Sequence, residues 1–142
     1  GMTVDDIVTL ASMIEKEAGT SADYFKISEV FWNRLNNPAQ YPRLESDATV
    51  VYQIAHELGE RPKKVTAADM DRDLPYNTYI HEGLPPGPIS NPSATAMLAA
   101  LNPSKNGYYF FVSDGRKTYF SADIYTHNYY LNMIRSKNEE SN

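Results

Sequence analysis

Two glutamates in one short stretch are the residues of this sequence best placed to do chemistry. The stretch SMIEKEAG, residues 12 to 19, carries Glu15 and Glu17 on either side of a lysine, near the end of an apolar run. Burial disfavours the charged form of a carboxyl group and raises its pKa. A glutamic acid whose pKa is raised toward roughly 6–7 can donate a proton near neutral pH. Glycosidases use such a group to protonate the oxygen of the leaving sugar.

Helical phase singles out Glu15. At about 100° per residue, four apolar side chains share one face of the predicted helix: Ile7, Ala11, Ile14 and Ala18. Glu15 falls inside this apolar arc, whereas Lys16 points nearly opposite and Glu17 lies at the far edge, beside Leu10. We therefore expect Glu15 to be the sheltered carboxyl group with a raised pKa. The alternative is that Glu15 sits at the rim of the stripe, where it reaches water or pairs with a basic residue.

Helices dominate the elements that must position this group. The first helix follows Thr3 and an acidic first turn, and Gly19 closes it near residue 18. Further helical segments are predicted over residues 22–35, 47–58, 66–70, 93–101 and 122–134. Asp114-Gly115 lies between two aromatic-rich runs, YYFFVS and KTYFS, which is a strong signal for a β-hairpin. The sequence therefore predicts a helix-rich, single-domain α+β fold with a small antiparallel sheet.

Residues 73–92 are predicted to form a long loop. They contain five prolines and two glycines, a composition that excludes a regular element. Loops of this length inside a compact domain are usually functional. Within the loop, the stretch YNTY places amide and hydroxyl groups between two aromatic rings, which suits the apolar faces and polar edges of a sugar. We expect this loop to line a groove.

Composition excludes several classes of function. The 142 residues suffice for one domain, which we predict over residues 3–136, after a tag remnant at residues 1–2 and before a flexible polar tail at residues 137–142. The net charge is −5, with no basic cluster, so nucleic acid is not an expected partner. Cysteine is absent, and His56 and His81 form no metal-ligand pattern. We predict no metal and no cofactor.

Several motifs in a fixed order give the sequence a family resemblance. They are LASMIEKEAG, SEVFWNRL, LESDATVVY, PYNTY, GLPPGPISNP and YYFFVSDG, followed by a histidine in THN. In this order they closely resemble the YceG-like family of endolytic murein transglycosylases, over about residues 7–130. The resemblance implies cleavage of peptidoglycan glycan strands between N-acetylmuramic acid and N-acetylglucosamine. The C6 hydroxyl of the muramyl residue replaces water as nucleophile and leaves a 1,6-anhydro end.

The resemblance also assigns roles to residues. It implies that Glu15, the first glutamate of the EKE motif, is the single general acid and base. It implies that other residues shape the site or bind sugar: Asn33, Arg34, Glu45, Ser46, Asp47, Thr49, Tyr52, Tyr76, Asn77, Thr78, Tyr79 and His127. Ordinary structural roles remain open for several of them. Arg34 could interact with the helix dipole, Ser46, Asp47 and Thr49 could cap a helix, and His127 could lie on the surface.

Glu45 departs from the family pattern, which usually has Gln at this position. A second carboxylate near the first would raise the pKa of one of them, and it opens an alternative function. The chain could be a muramidase-type hydrolase that uses Glu15 with Glu45 or Asp47. A peptidoglycan-binding module without activity is a further alternative. Near His127 the family often carries another Glu and His, where Thr126 and Thr118 stand here.

The resemblance places the parent protein at the cell envelope. It implies a membrane-anchored protein that acts on the extracytoplasmic face of the bacterial cytoplasmic membrane, with its anchor outside these 142 residues. The expected partners are peptidoglycan glycan strands and, through the parent protein, the cell-wall synthesis machinery.

Overall fold

Helix α1 begins where the sequence predicts it, because its first turn is capped from both sides. The computed structural model describes residues 2–62 and 64–141, and α1 spans Val4–Glu17. The Thr3 hydroxyl accepts a hydrogen bond from the Asp6 amide, and the Asp6 carboxylate accepts one from the Thr3 amide. This capping box satisfies two amides that have no partner within the helix.

The remaining elements follow in the predicted order. A 3₁₀ turn, Ser21–Asp23, leads into α2, Tyr24–Leu35. The elements after it are α3 Asp47–Leu58, α4 Ala67–Met70, α5 Ala94–Leu101, β1 Phe110–Ser113, β2 Thr118–Ser121 and α6 Ile124–Ser141. The predicted α+β fold, with many helices and one small antiparallel sheet, is confirmed. None of the helices in the described residues is long and apolar enough to cross a membrane.

The core surrounds α1 rather than lying along one face of it. Six consecutive residues of this helix, 9–14, are buried, because α5 and α2 pack against it from different sides. Alanines at the contact surface of α5 let its backbone approach closely: Ala96, Ala99 and Ala100 are fully buried. A helix enclosed in this way has no solvent-facing side except near its ends. The side chains at its C-terminal turn can therefore meet protein in several directions.

The predicted hairpin is present, and α6 packs against both of its strands. Strands β1 and β2 pair antiparallel, with Phe111 opposite Phe120. The Asp114 carboxylate holds the turn by accepting hydrogen bonds from the amides of Arg116, at 2.8 Å, and Lys117, at 2.7 Å. Gly115 supplies the left-handed backbone of the turn, with φ 96°. The hairpin lies between α2 and α6, so its side chains can form a wall beside both helices.

Helix α6 extends further than predicted. It runs to Ser141, past the predicted end at residue 134 and through most of the segment predicted to be a frayed tail. The predicted helix end is therefore wrong. The residues after Ile134 include no glycine or proline and several good helix formers, so nothing in them ends the helix. Gly1, from the predicted tag remnant, and Asn142 lie outside the described residues.

The long loop prediction is confirmed, and one buried residue organises the loop. Between α4 and α5, residues 71–93 contain neither helix nor strand. The Asn77 side-chain amide donates to the carbonyls of Met70 and Arg72, at 2.9 and 2.8 Å, and its oxygen accepts from the Tyr79 amide at 2.8 Å. These bonds fix the conformation at the start of the loop, beside α4.

Candidate active site

A cavity of about 600 Å³ opens between α1, α2, the start of α3, the hairpin and α6. Five of the predicted site residues line it: Arg34, Glu45, Asp47, Tyr79 and His127. The sequence prediction missed Glu17, Ser113 and Asn128, which also line it. Apolar side chains of the hairpin and α6 form the opposite wall. The cavity is of the size that small-molecule ligands occupy, with polar groups concentrated on one side.

Glu17 lies at the base of this cavity, at the last residue of α1. One carboxylate oxygen accepts hydrogen bonds from the Ser46 hydroxyl, at 2.7 Å, and from the Ala48 amide at the start of α3, at 3.2 Å. The side chain keeps some surface exposure through the cavity, but protein atoms surround it on nearly all sides. Burial raises its pKa above the ordinary value and outweighs the two hydrogen bonds, and the charge of Asp47 acts in the same direction.

Glu15 has the opposite electrostatic environment. Its carboxylate accepts hydrogen bonds from the Tyr24 hydroxyl and from the Ser93 amide, the latter at 2.7 Å. The bond from Tyr24 contributes most to a lowered pKa, and those from Ser93 add to it. The predicted raised pKa of Glu15 is therefore wrong. Helical phase predicted a sheltered group, but Glu15 is only partly buried, and the Tyr24 hydroxyl at the start of α2 and the Ser93 amide at the N-cap of α5 stabilise its anion.

The two glutamates thus accept hydrogen bonds from the N-termini of different helices. Glu15 faces the start of α5, and Glu17 faces the start of α3 and the cavity. A signal for Glu17 did exist in the sequence. A carboxylate in the last turn of a helix is disfavoured by the helix dipole, so a glutamate directly before the end of α1 indicates either a tertiary partner or a functional role.

The raised pKa of Glu17 predicts a specific dependence of stability on pH. Because the folded state binds this proton more tightly than the unfolded state, Glu17 lowers the free energy of unfolding as pH rises from its ordinary pKa of 4.5 through its raised one. Glu17→Gln removes this contribution. The stability of the variant relative to the wild type should increase between about pH 4 and pH 8, as measured by urea unfolding. A difference that stays constant or decreases over this range would contradict the raised pKa.

Arg34 is the cation of the cavity. Its guanidinium donates to the carbonyls of Tyr109, at 2.8 Å, and Arg43, at 3.0 Å, and lies 3.6 Å from the Glu45 carboxylate. It also stacks over the Phe110 ring, at 4.9 Å. Burial lowers its pKa, but an arginine retains its charge at neutral pH. Arg34 therefore places a fixed positive charge in the wall of an otherwise acidic cavity, rather than merely ending a helix.

Glu45 occupies a strained backbone conformation. Its φ of 54° lies in the left-handed region, which a non-glycine residue rarely adopts. Its side chain is about half exposed and paired with Arg34. Strained residues of this kind persist where the surrounding structure fixes them and are concentrated at functional sites. Here the conformation directs the carboxylate of Glu45 into the cavity beside Arg34.

Asp47 and Tyr79 form a pair at the cavity wall. The Tyr79 hydroxyl donates to the Asp47 carboxylate. Burial raises the pKa of Tyr79, and the hydrogen bond to Asp47 raises it further. Tyr79 therefore remains a neutral phenol and Asp47 remains its acceptor. This bond restricts the freedom of Asp47 to act as a base.

His127 lines the cavity from α6. Its ring stacks on Phe110, with centroids 5.0 Å apart, and burial together with the charge of Arg34 lowers its pKa. Within residues 2–62 and 64–141, its Nδ1 and the Ser121 hydroxyl are the buried side-chain atoms that lack a hydrogen-bond partner. A neutral imidazole in this position can still donate or accept one hydrogen bond at Nδ1.

Several other predicted site residues are buried beneath the residues that line the cavity. Ser46, Thr49 and Thr78 are buried and bonded to one another: the Ser46 amide donates to Thr78 Oγ1 at 2.8 Å, and the hydroxyls of Thr49 and Thr78 lie 2.9 Å apart. Asn77 is fully buried in the loop. The polar groups of these side chains form hydrogen bonds with other residues of the protein. These residues position Glu17, Asp47 and Tyr79 rather than presenting polar groups to the cavity.

Three further predicted site residues, Asn33, Tyr52 and Tyr76, also lie outside the lining of this cavity. The Asn33 side-chain amide donates to the Tyr108 carbonyl at 2.7 Å and so ties α2 to the segment before the hairpin. Tyr52 and Tyr76 pack against each other, with ring centroids 5.1 Å apart, on the far side of α3. Tyr52 borders a second, smaller cavity. Within the described ranges, no group of three or more His, Cys, Asp or Glu side chains is arranged to hold a metal ion.

The fold and the cavity define an α+β domain with a sheltered acid at the base of an acidic cleft. The chain belongs to the YceG-like family, whose pattern matches residues 1–132. The predicted family membership is confirmed.

Known proteins support this assignment. A protein of Bacillus subtilis (strain 168) named endolytic murein transglycosylase is 38% identical over 141 residues, which are 98% of this chain and 37% of that protein. A protein of the same name from Streptococcus pneumoniae is 36% identical over 115 residues, 80% of this chain and 20% of its own length. The 2.6 Å crystal structure of a YceG-like protein from Listeria monocytogenes superimposes with a TM-score of 0.78 at 45% identity, covering 89% of this chain and 39% of that one. The chain thus spans less than two fifths of each relative.

Proposed function

We propose that this chain is the catalytic domain of an endolytic murein transglycosylase and that Glu17, rather than Glu15, is its general acid. The observation that carries the proposal is the position of Glu17: a carboxyl group with a raised pKa at the base of a large cavity. The names of the relatives supply the substrate class. Residues 3–136 would form the domain, and the substrate would be glycan strands of peptidoglycan, outside the cytoplasmic membrane.

The proposed reaction needs one carboxyl group and no water. Glu17 donates its proton to the glycosidic oxygen as the bond from this oxygen to C1 of N-acetylmuramic acid breaks. The Glu17 carboxylate then accepts the proton of the muramyl C6 hydroxyl while its oxygen forms a new bond to C1. The products are a strand ending in 1,6-anhydro-N-acetylmuramic acid and a strand that begins with N-acetylglucosamine. The acid is regenerated in its starting form.

The surroundings of Glu17 support both halves of this cycle. Burial raises the pKa of Glu17 and so favours its protonated form before the reaction. The Ser46 hydroxyl and the Ala48 amide can stabilise the carboxylate that forms when the proton leaves. Asp47, fixed by Tyr79, adds a negative charge near the ring as positive charge develops on it. Glu15 lacks such an arrangement, because its donors favour the anion at the outset.

A hydrolase is the second candidate, and Glu45 is the observation that favours it. This carboxylate lines the same cavity, on a strained backbone, and could activate a water molecule. Its pairing with Arg34 argues for a structural or substrate-binding role instead.

The nature of the product distinguishes the two reactions. Purified glycan strands are digested with the 142-residue chain, and the new ends are identified by mass spectrometry. We expect 1,6-anhydro ends, which are lighter than hydrolysed ends by one water molecule. Reducing ends would support the hydrolase. Binding of strands with no new ends of either kind, under conditions where the full-length relative cleaves them, would support a binding module.

A further inference from the structure

A second cavity, of about 170 Å³, lies between the last turn of α1, helix α3 and the end of the long loop. Its floor is apolar and consists of Ala48, Val51, Ala55 and Ile89. Lys16, Arg61 and the ring of Tyr52 line the rest of it. This cavity combines a small hydrophobic surface with two positive charges, and the proposed reaction uses none of these side chains.

The two cations are available to a ligand. Lys16 and Arg61 are both exposed, and neither forms an ion pair with another residue of the described ranges. The charge of Lys16 acts weakly on Glu15, whose carboxylate is bonded to Tyr24 and Ser93 instead. Two uncompensated cations around one concavity, in a chain of net charge −5, favour an anionic ligand. The apolar floor favours a ligand that also carries small hydrophobic groups.

The second cavity adjoins the proposed acid. The Ala48 side chain lines the second cavity, while its amide donates to Glu17 in the main cavity. Lys16 directly precedes Glu17 in α1. The two cavities therefore approach each other at the last turn of α1 and the first turn of α3.

We propose that the second cavity binds the stem peptide carried by the muramyl residue at the cleavage site. This inference rests on the proposed function, which supplies the muramyl residue. A stem peptide carries alanine methyl groups and free carboxylates, which match the apolar floor and the two cations. An extended peptide spans at most about 3.3–3.6 Å per residue, so three to five residues reach roughly 10–18 Å from the sugar. In this proposal one or two of these residues occupy the cavity of about 170 Å³, with a carboxylate near Lys16 and Arg61.

Binding of a free peptide tests the site without any need for turnover. The 142-residue chain, labelled with ¹⁵N, is titrated with a synthetic stem tetrapeptide and with the same peptide carrying carboxamides in place of carboxylates. We expect amide shifts at Lys16, Val51 and Tyr52 for the acidic peptide. The double variant K16Q/R61Q should weaken its binding about tenfold, since each exposed ion pair contributes up to about a factor of five. A carboxamide peptide that binds equally well, or shifts confined to other surfaces, would overturn the proposal.

A matched variant controls for net charge. K105Q/R116Q removes two exposed cations that line neither cavity and should leave the affinity for the peptide unchanged. If it weakens binding as much as K16Q/R61Q does, the attraction is a general effect of charge and the site is refuted.

Cleavage assays then separate the two proposals. On strands that retain their peptides, K16Q/R61Q should lower kcat/KM about tenfold, whereas on strands stripped of peptides it should have no effect. An equal loss on both substrates would refute the peptide site but not the enzyme. Peptide binding with the predicted variant pattern but no cleavage of any strand would refute the proposed function, and the peptide site would stand.

Discussion

Replacing Glu17 by glutamine is expected to lower the rate of strand cleavage by about 10²–10⁴-fold, the usual contribution of general acid–base catalysis. Glutamine keeps an oxygen that can accept the hydrogen bonds from Ser46 and Ala48, so the cavity should keep its shape. It has no proton to donate to the leaving oxygen. The loss should therefore appear in kcat, with little change in KM, and can be measured by following new anhydro ends over time.

Glu15→Gln is the matched control, because it makes the same chemical change two residues away in the same helix. Its oxygen can still accept a hydrogen bond from Tyr24 or Ser93, and the group does not line the main cavity. We expect this variant to keep most of its activity. If Glu15→Gln is inactive while Glu17→Gln cleaves normally, the assignment from sequence resemblance is right and the proposal made from the structure is wrong.

The dependence of cleavage on pH provides a further contrast between the two glutamates. A general acid must be protonated, so activity should fall as pH rises through the raised pKa of Glu17. A mechanism that relied on Glu15 would lose its acid at much lower pH, because hydrogen bonds lower the pKa of that group.

Local sequence patterns predicted the fold well because each element carries its own signal. Thr3 and the acidic first turn fixed the start of α1, and Asp114-Gly115 fixed the hairpin. The prolines of residues 73–92 excluded regular structure. The sequence prediction ends helix α6 too early, because a polar composition suggests fraying although residues 135–141 include no glycine or proline to end the helix.

The site was harder to predict, because it depends on contacts between residues far apart in the sequence. Helical phase identifies one sheltered face, but α1 is enclosed on several sides, so both glutamates meet protein. Glu15 meets donors that stabilise its charge, whereas Glu17 meets Ser46 and the start of α3, about 30 residues away. A periodic pattern within one helix contains no information about these partners. The resemblance assigned the catalytic role to Glu15, whereas the surroundings of Glu17 lead us to propose Glu17 instead.

A third glutamate, Glu29 on α2, does not line the main cavity but binds the segment that leads into the hairpin. Its side chain is only 1% exposed. One carboxylate oxygen accepts hydrogen bonds from the amides of Asn106, at 2.6 Å, and Tyr108, at 3.1 Å, and the other accepts from the Asn106 side chain at 3.0 Å. These bonds hold the segment that leads into β1, where the Tyr109 carbonyl accepts from Arg34.

Glu29→Ala is expected to destabilise the protein by about 3 kcal/mol or more, because it leaves two backbone amides and a side-chain amide without their acceptor and also creates a void. Glu29→Gln should cost much less, about 1 kcal/mol. Its single oxygen can serve both backbone amides, and the Asn106 side chain can turn its own oxygen toward the new NH₂ group. Urea unfolding measures both effects, provided that the slopes of the transitions agree.

An exposed glutamate provides the comparison for this series. Glu82→Ala removes the same atoms from the surface of the long loop and should change the free energy of unfolding by no more than about 0.5 kcal/mol. The decisive result is the order of the three variants: alanine at residue 29 should be far less stable than glutamine there, and Glu82→Ala should match the wild type. Equal unfolding midpoints for Glu29→Ala and the wild type would mean that water replaces the lost acceptor. The segment that leads into β1 would then be held to α2 only by the hydrogen bonds from Asn33 to the Tyr108 carbonyl and from Arg34 to the Tyr109 carbonyl.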